Sequence, residues 1–369
     1  MSKIALYLAG GGARGAYQAG LLKAIGQILN TKKLPFHMVI GTSIGCLNAA
    51  ILAEHADNFG LAIDKLEALW SDIRCEKIFK THNYDVGKSI LRNMSSLFLK
   101  TPRSGHLLDT IPLHDFIQNN IDFEQIKFNI QYKNLEAMEI ISHCYDTQQT
   151  VSFIQHNQPS IEDWLYPRHI SRTTELNISH ILASTALPLF FPVIKINGYH
   201  YGDGGMGLIS PLRGATRFGA EKILILGTRQ SPIVNTNEQL QRSEIGLAQI
   251  LGNMLSGLFL DNLDRDLEML HKMNEISRLI SMWKKRSSPW KPIESLHLRP
   301  STDISEIAQN EYHSMPGVLR LMLNLLGAQQ HSGDLLSFLL FEPGFTSILI
   351  ELGYQDGLQS RDVISAFFT

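Results

Sequence analysis

The chain has 369 residues, 44% of them hydrophobic, with 33 Lys or Arg against 35 Asp or Glu and a formal net charge of -2. That length and apolar content suit one large domain with appendages or two domains, and the near-neutral balance excludes a nucleic-acid binder that works through whole-domain electrostatics. Cys46, Cys75 and Cys144 are odd in number and lack CxxC spacing, so neither a disulfide framework nor a zinc site is expected, and a reducing compartment suits them.

KIALYL, Lys3 to Leu8, reads as a short buried strand, followed by a glycine turn and a helix from Arg14 to Leu29. The apolar run at the N-terminus is too short for a signal sequence, and no stretch of about 18 uncharged apolar residues is present to span a bilayer. The N-terminus is expected to belong to the mature fold. FHMVI, Phe36 to Ile40, is a second buried strand, then GTSIG, then a helix over Cys46 to His55. This βαβα opening predicts a parallel α/β sheet. From Arg74 to Arg103, seven basic residues face only Glu76 and Asp85. The segment reads first as a solvated helical excursion with its apolar side on the core, and second as a basic face for an anionic membrane.

Around Asn197-Gly198, VIKINGYHYGDGG predicts a hairpin whose second strand ends at Asp203. KILILG, Lys222 to Gly227, is a further buried strand, Gln230 to Ser243 a linker, and Leu247 to Met273 a long amphipathic helix. SLHLRP, from Ser295, is a candidate last strand. Ser305 to Thr369 is expected to be helical with a break at Glu342-Pro343-Gly344.

LAGGGARGAYQAG poses the functional question, because glycines after a strand let backbone N–H groups approach an anion. Gly10, Gly12 and Gly15 satisfy GxGxxG, yet the acidic residue that should end the second strand and hold a dinucleotide ribose is missing. Directly after that strand stands GxSxG, Gly41-Thr42-Ser43-Ile44-Gly45. By chance the pattern arises in on the order of one chain in six, so it counts through its position: a strand-to-helix turn raises a serine hydroxyl at a helix N-terminus, where the dipole favours an oxyanion. An α/β-hydrolase would need more strands before Ser43 and a histidine in a loop after a strand, which His271, His297, His313 and His331 do not offer. Cys46, His37 and His200 read as packing or rim residues.

GGGxRG, GxSxG and a later Asp203-Gly204-Gly205, together with ASTALPLFFPV from Ala183 to Val193, resemble the patatin-like phospholipases over about Lys3 to Gly227. The resemblance implies a three-layer α/β/α sandwich with a mostly parallel central sheet and a helical C-terminal extension. It divides the chain into a catalytic core over residues 1–230, a linker, long helix and last strand over 231–303, and the extension over 304–369. It also implies a lipid acyl hydrolase of phospholipase A or lysophospholipase type acting through an acyl-serine. Ser43 would be the nucleophile, Asp203 the group that takes its proton, and Gly10, Gly11 and Gly12 the oxyanion donors. Arg14 would fix or charge that loop, with Gly15, Gly41, Gly45, Gly204 and Gly205 supporting the motifs. No metal or organic cofactor is required. The expected partner is a phospholipid or other acyl-ester lipid met at a membrane surface, with no nucleic acid and no assignment of activator or homo-oligomer. The expected location is cytoplasmic or peripheral to a membrane, a reading compatible with export by a non-Sec route. A soluble carboxylesterase or thioesterase and a non-catalytic lipid-binding scaffold are the alternatives on the same fold.

Overall fold

The structure is a computed structural model that describes residues 2–81, 106–159, 161–231, 247–279, 291–325 and 333–369. In β1 (Ile4–Leu8) every residue is buried, with Leu6 and Leu8 facing one apolar core while Ala5 and Tyr7 face another. That alternation, imposed by the two-residue period of a strand, makes β1 the middle of a layered fold. A 3-10 turn, Gly12–Arg14, precedes α1 (Gly15–Leu29). The second strand, β2 (Met38–Thr42), begins and ends two residues later than the apolar run suggests. His37 is spent on the lead-in, its Nδ1 accepting from Ile4 N at 3.1 Å, and Gly41 and Thr42 keep register with Ile140 and Ile141 of the next strand. α2 (Gly45–Glu54), α3 (Phe59–Ser71), α4 (Cys75–Ile78), α5 (Ile111–Asn120) and α6 (Phe123–Gln131) come next along the chain.

The middle of the chain supplies β3 (Ala137–Cys144), β4 (Gln149–His156), β5 (Leu165–Tyr166), β6 (His169–Thr173), α7 (Ile178–Ser184), β7 (Ile194–Ile196) and β8 (Tyr199–Asp203). Then come α8 (Arg213–Arg217), β9 (Lys222–Leu226), α9 (Leu247–Leu279) and β10 (Glu294–Leu298). The sheet runs β10-β9-β1-β2-β3-β4-β6-β5, and β10, β9, β1, β2 and β3 are all parallel. β8 pairs antiparallel with the far end of β3, Ser142 opposite Asp203. One face is covered by α1, α2 and the C-terminal helices, the other by α8 and α9 through Ala215, Leu263 and Leu267. The protein is therefore α/β with a mostly parallel sheet between helical layers.

The C-terminal helices are α10 (Ile304–Asn310), α11 (Gly317–Leu325), α12 (Gly333–Leu339), α13 (Pro343–Gln359) and α14 (Arg361–Phe368), with Pro343 in the first turn of α13. α13 packs along α1 at backbone distance, since a Cβ on Gly20 would stand 1.9 Å from Ile350 O. Most of the basic segment, residues 82–103, and linker residues 232–243 lie outside the described residues. Of its described cations, Lys80 pairs with Asp109 at 2.7 Å, Arg74 stands 4.0 Å from Glu342, and Lys77 pairs with Asp72. No single helix among the described residues is long and apolar enough to cross a membrane.

Candidate active site

Ser43 stands one residue beyond β2 and two before α2, with φ of 53°. A non-glycine residue in the left-handed region carries strain of about 1–3 kcal/mol that the surrounding structure must hold. It is held from both sides. Ser43 N donates to Ser184 Oγ at 2.9 Å, and Ser184 Oγ donates in turn to Ile141 O at 2.6 Å. The side chain thus leaves the end of the sheet at the N-terminus of a buried helix, where the macrodipole favours negative charge.

Ser43 Oγ donates to Asp203 Oδ2 at 2.6 Å. Asp203 reaches that position because β2 and β8 share one edge of β3 end to end, Thr42 opposite Ile141 and Asp203 opposite Ser142, while β4 takes the other edge. The segment after α7 completes the fixation: Asp203 N donates to Ala186 O at 3.1 Å and Gly204 N to Ser184 O at 3.2 Å. A Cβ on Gly204 would lie 1.9 Å from Ile141 O, so only glycine lets the turn after Asp203 press onto β3. Asp203 Oδ1 accepts from Gly205 N at 2.9 Å. The carboxyl is fully buried, and burial pushes its pKa up to about 7, against the smaller pull of its two hydrogen bonds. It can take a proton near neutral pH, where an ordinary carboxylate is too weak a base.

The glycine loop lies directly against Ser43: a Cβ on Gly10 would meet Ser43 Cβ at 2.9 Å. Its carbonyls are engaged, Gly10 O accepting from Thr228 Oγ1 at 2.6 Å and Gly11 O from Arg14 N at 3.2 Å. Among the described residues, the amides of Gly10, Gly11 and Gly12 donate to none. Gly12 has φ of 58°, and a Cβ there would be 2.1 Å from Phe338 O of α12. Arg14 is turned away from Ser43 into the C-terminal region. Its guanidinium donates to Asp334 Oδ1 and Ser337 Oγ, both at 2.8 Å, and lies 4.9 Å from the centre of the Phe338 ring. Burial lowers the Arg14 pKa and Asp334 opposes the shift. Of its two expected roles, fixing the loop is the one this geometry serves.

Behind the loop, Gln18 Nε2 donates to Ala9 O at 2.9 Å and to Leu226 O at 3.0 Å, while Asn48 Nδ2 donates to Gly15 O at 3.1 Å and to Gln18 Oε1 at 2.9 Å. Trp70 Nε1 donates to Asn48 Oδ1 at 2.8 Å. Gly15 packs against the Trp70 ring and Gly41 against Cys46, which lets β2 and α2 cross closely, as Gly45 does against Leu8 O. In front of Ser43 lies a small, nearly closed apolar cavity of about 20 Å³. Ile44, Leu113, Leu187 and Phe191 line it, and Phe338 and Phe341 close it from the C-terminal region.

The other chemistry-bearing residues stand apart. Cys46 is buried behind Ser43 with its thiol pKa raised by burial, which makes it inert. His37 is used at the start of β2, and exposed His200 lies 3.2 Å from Asp146 Oδ1. His271 and His313 are exposed, His297 sits in β10 beside Arg299, and His331 lies outside the described residues. Ser184 and Thr228, which hold the serine and the loop, escaped the sequence reading. Ser184 stands in the ASTALP stretch singled out for its resemblance, whereas nothing local marks Thr228. Among the described residues, no three His, Cys, Asp or Glu side chains are grouped to hold a metal ion.

The family model for patatin-like phospholipases matches residues 6–216. The chain belongs to the patatin-like phospholipase family. The patatin match contains the glycine loop, Ser43, Ser184 and Asp203, and places the protein in a family of lipid acyl hydrolases. It ends before β9, β10 and every helix from α9 onward. Among solved structures the chain is similar to VipD from Legionella pneumophila, at 12% identity over 98% of this chain and 67% of that one, with a TM-score of 0.38. A search of curated proteins finds no match.

Proposed function

We propose that this patatin-like protein is a serine-dependent lipid acyl hydrolase of phospholipase A or lysophospholipase type, with Ser43 and Asp203 as a catalytic dyad. The observation that carries the reading is the 2.6 Å hydrogen bond from Ser43 Oγ to a buried carboxyl whose pKa lies near 7, at the mouth of an apolar cavity. Ser43 Oγ attacks the ester carbonyl as its proton passes to Asp203 Oδ2. The carbonyl oxygen becomes an oxyanion against the amides of Gly10, Gly11 and Gly12 and the N-terminus of α2. Collapse expels the alcohol, which takes the proton from Asp203 and leaves an acyl-serine. Water then gives its proton to Asp203, attacks the acyl carbonyl and frees the fatty acid, and Ser43 recovers its proton. Every step uses groups of this chain, with lipid and water as the reactants.

The substrate lipid is met at a membrane surface, by transient contact from the cytoplasmic or peripheral side. Fatty-acid release from mixed phospholipid vesicles, measured beside a short-chain chromogenic ester, tests the reading. Both activities should vanish in Ser43→Ala with the circular dichroism spectrum unchanged. Hydrolysis that survives this substitution overturns the dyad. Hydrolysis of the soluble ester alone supports the carboxylesterase alternative, and a folded protein inert on both supports the scaffold.

A further inference from the structure

The segment between α7 and β7, residues 185–193, divides its side chains between the site and the solvent. Leu187 and Phe191 are buried in the wall of the cavity beside Ser43, whereas Leu189, midway between them, is 59% exposed. The chain reverses there in a tight turn. Phe190 N donates to Leu187 O at 3.2 Å, Pro188 takes the second position of the turn, and Leu189 holds the third with φ of 70°. Those are the marks of a type II turn, in which glycine or asparagine normally fills the third place because other side chains are strained there. Among the described residues, six other non-glycine residues take positive φ, and every one is polar or charged. Of the seven, Leu189 alone joins backbone strain to an apolar side chain left in water. The turn is also fixed from behind, Leu107 N donating to Leu189 O at 3.0 Å and Leu108 N to Phe190 O at 2.8 Å. Three residues beyond Leu108, α5 begins with exposed Ile111, and Val193 at the end of the segment is exposed as well.

We propose that Leu189 is the tip of a lipid-contact surface, with Ile111 and Val193 beside it, through which the protein rests on a bilayer with its Ser43 side toward the lipid. The inference deepens the hydrolase reading above and rests on it for the class of partner. A side chain that is apolar, exposed and strained contributes nothing to the fold, so its stabilisation comes from a surface that takes it out of water. A protein partner would need a broad complementary face, whereas acyl chains accept an isolated tip without one. Lys195, exposed two residues beyond Val193, adds a cation for lipid phosphates. The hydrogen-bonded turn is already rigid, so little freedom is lost when it docks. Because Leu187 and Phe191 flank the tip and line the cavity, contact through Leu189 brings the surface to the side of the molecule that holds the nucleophile.

The test is co-sedimentation of the full chain with phosphatidylcholine–phosphatidylglycerol vesicles, run beside hydrolysis of soluble p-nitrophenyl butyrate. Leu189→Asn should weaken vesicle binding about tenfold, the loss expected when one leucine no longer enters the lipid. Its melting temperature should stay at or above that of the wild type, because asparagine accepts the left-handed conformation. Hydrolysis of the soluble ester should remain within about twofold, and Leu189→Phe should keep the vesicle binding. Cys46, Cys75 and Cys144 are buried, so Leu189→Cys can carry an environment-sensitive fluorophore at the tip, and its emission should move to the blue when vesicles are added. Unchanged binding by Leu189→Asn, or a probe that still reports water on vesicle-bound protein, overturns the contact surface and leaves the hydrolase standing. A wild type that ignores the vesicles, or that covers Leu189 by pairing with itself, overturns it equally. Vesicle binding that depends on Leu189 in a folded wild type that cleaves neither lipid nor ester upholds the contact surface and defeats the hydrolase reading.

Discussion

Among the described residues, two buried serine–carboxyl pairs stand in or at the edge of the sheet, and only one of them has the makings of a catalytic site. Ser43 donates to Asp203 at 2.6 Å, and Ser152 donates to Glu139 at 2.5 Å. Both carboxyls are fully buried, and burial pushes each up to about 7. The second pair even has a histidine, His169 Nε2 lying 2.8 Å from Ser152 Oγ. Yet there the serine sits between histidine and carboxylate, whereas a triad needs histidine between the other two to carry the proton. His169 is pushed down to about 3 by burial, and Ser152 lies wholly buried in the middle of β4. Ser43 instead sits in a strained turn, beside glycine amides, facing a cavity. A perturbed carboxyl therefore marks burial, and access and oxyanion donors mark chemistry.

The sharpest way to break that comparison is to neutralise each carboxyl in turn. Asp203→Asn should lower kcat/KM on the order of a thousandfold or more, while Glu139→Gln leaves it within about twofold. Comparable losses from both would end the distinction. The pH profile comes next in size. Because Asp203 must be ionised to accept the serine proton and titrates near 7, kcat/KM should climb about tenfold per pH unit up to that region and then level off. Glu139→Gln should leave this inflection where it is, and an inflection that moves with it would reassign the titrating group. Asp334→Asn, which leaves buried Arg14 without its counterion, should cost about tenfold in kcat with KM little changed. A shift confined to KM would show that the clamp shapes the pocket and not the loop.

The smallest effect is on stability. Glu139 ordinarily titrates at 4.5 and in the fold at about 7, so between those values the unfolded chain ionises while the folded one keeps its proton. Stability falls as pH rises through that window and stays reduced above it. Glu139→Gln removes the penalty. Its melting temperature should exceed that of the wild type by a few degrees at pH 8, with the gain fading toward pH 4.5. A constant gain at every pH would mean that packing, not ionisation, is responsible.

The βαβα opening was legible because its signals are local: unbroken apolar runs in β1 and β2, glycines at the turns, and helical spacing after each. The β7–β8 hairpin was equally legible, and Asn197 and Gly198 do take positive φ, at 49° and 89°. Ser43, Asp203 and the glycine loop could be singled out as candidates for the same reason, each standing at the end of a readable strand. β3, β4 and β6 were missed because Glu139, Ser142, Ser152 and His169 interrupt their apolar pattern. Glu139, Ser152 and His169 are joined in a hydrogen-bonded row across three strands, a pairing that no single window of sequence displays. Phe338 and Arg14 meet only through the tertiary fold, so neither the second wall of the pocket nor the destination of the arginine could be read in advance.

Arg14 and Asp334 also set an order of events in time. At roughly 5–20 residues per second, a ribosome that has finished the Ser43 turn needs roughly fifteen to sixty seconds more to reach α12. Throughout that interval the nascent chain holds its serine and glycine loop without the helix that clamps the arginine and closes the cavity beside Ser43. The candidate site is therefore assembled last at the point where the chain was begun first.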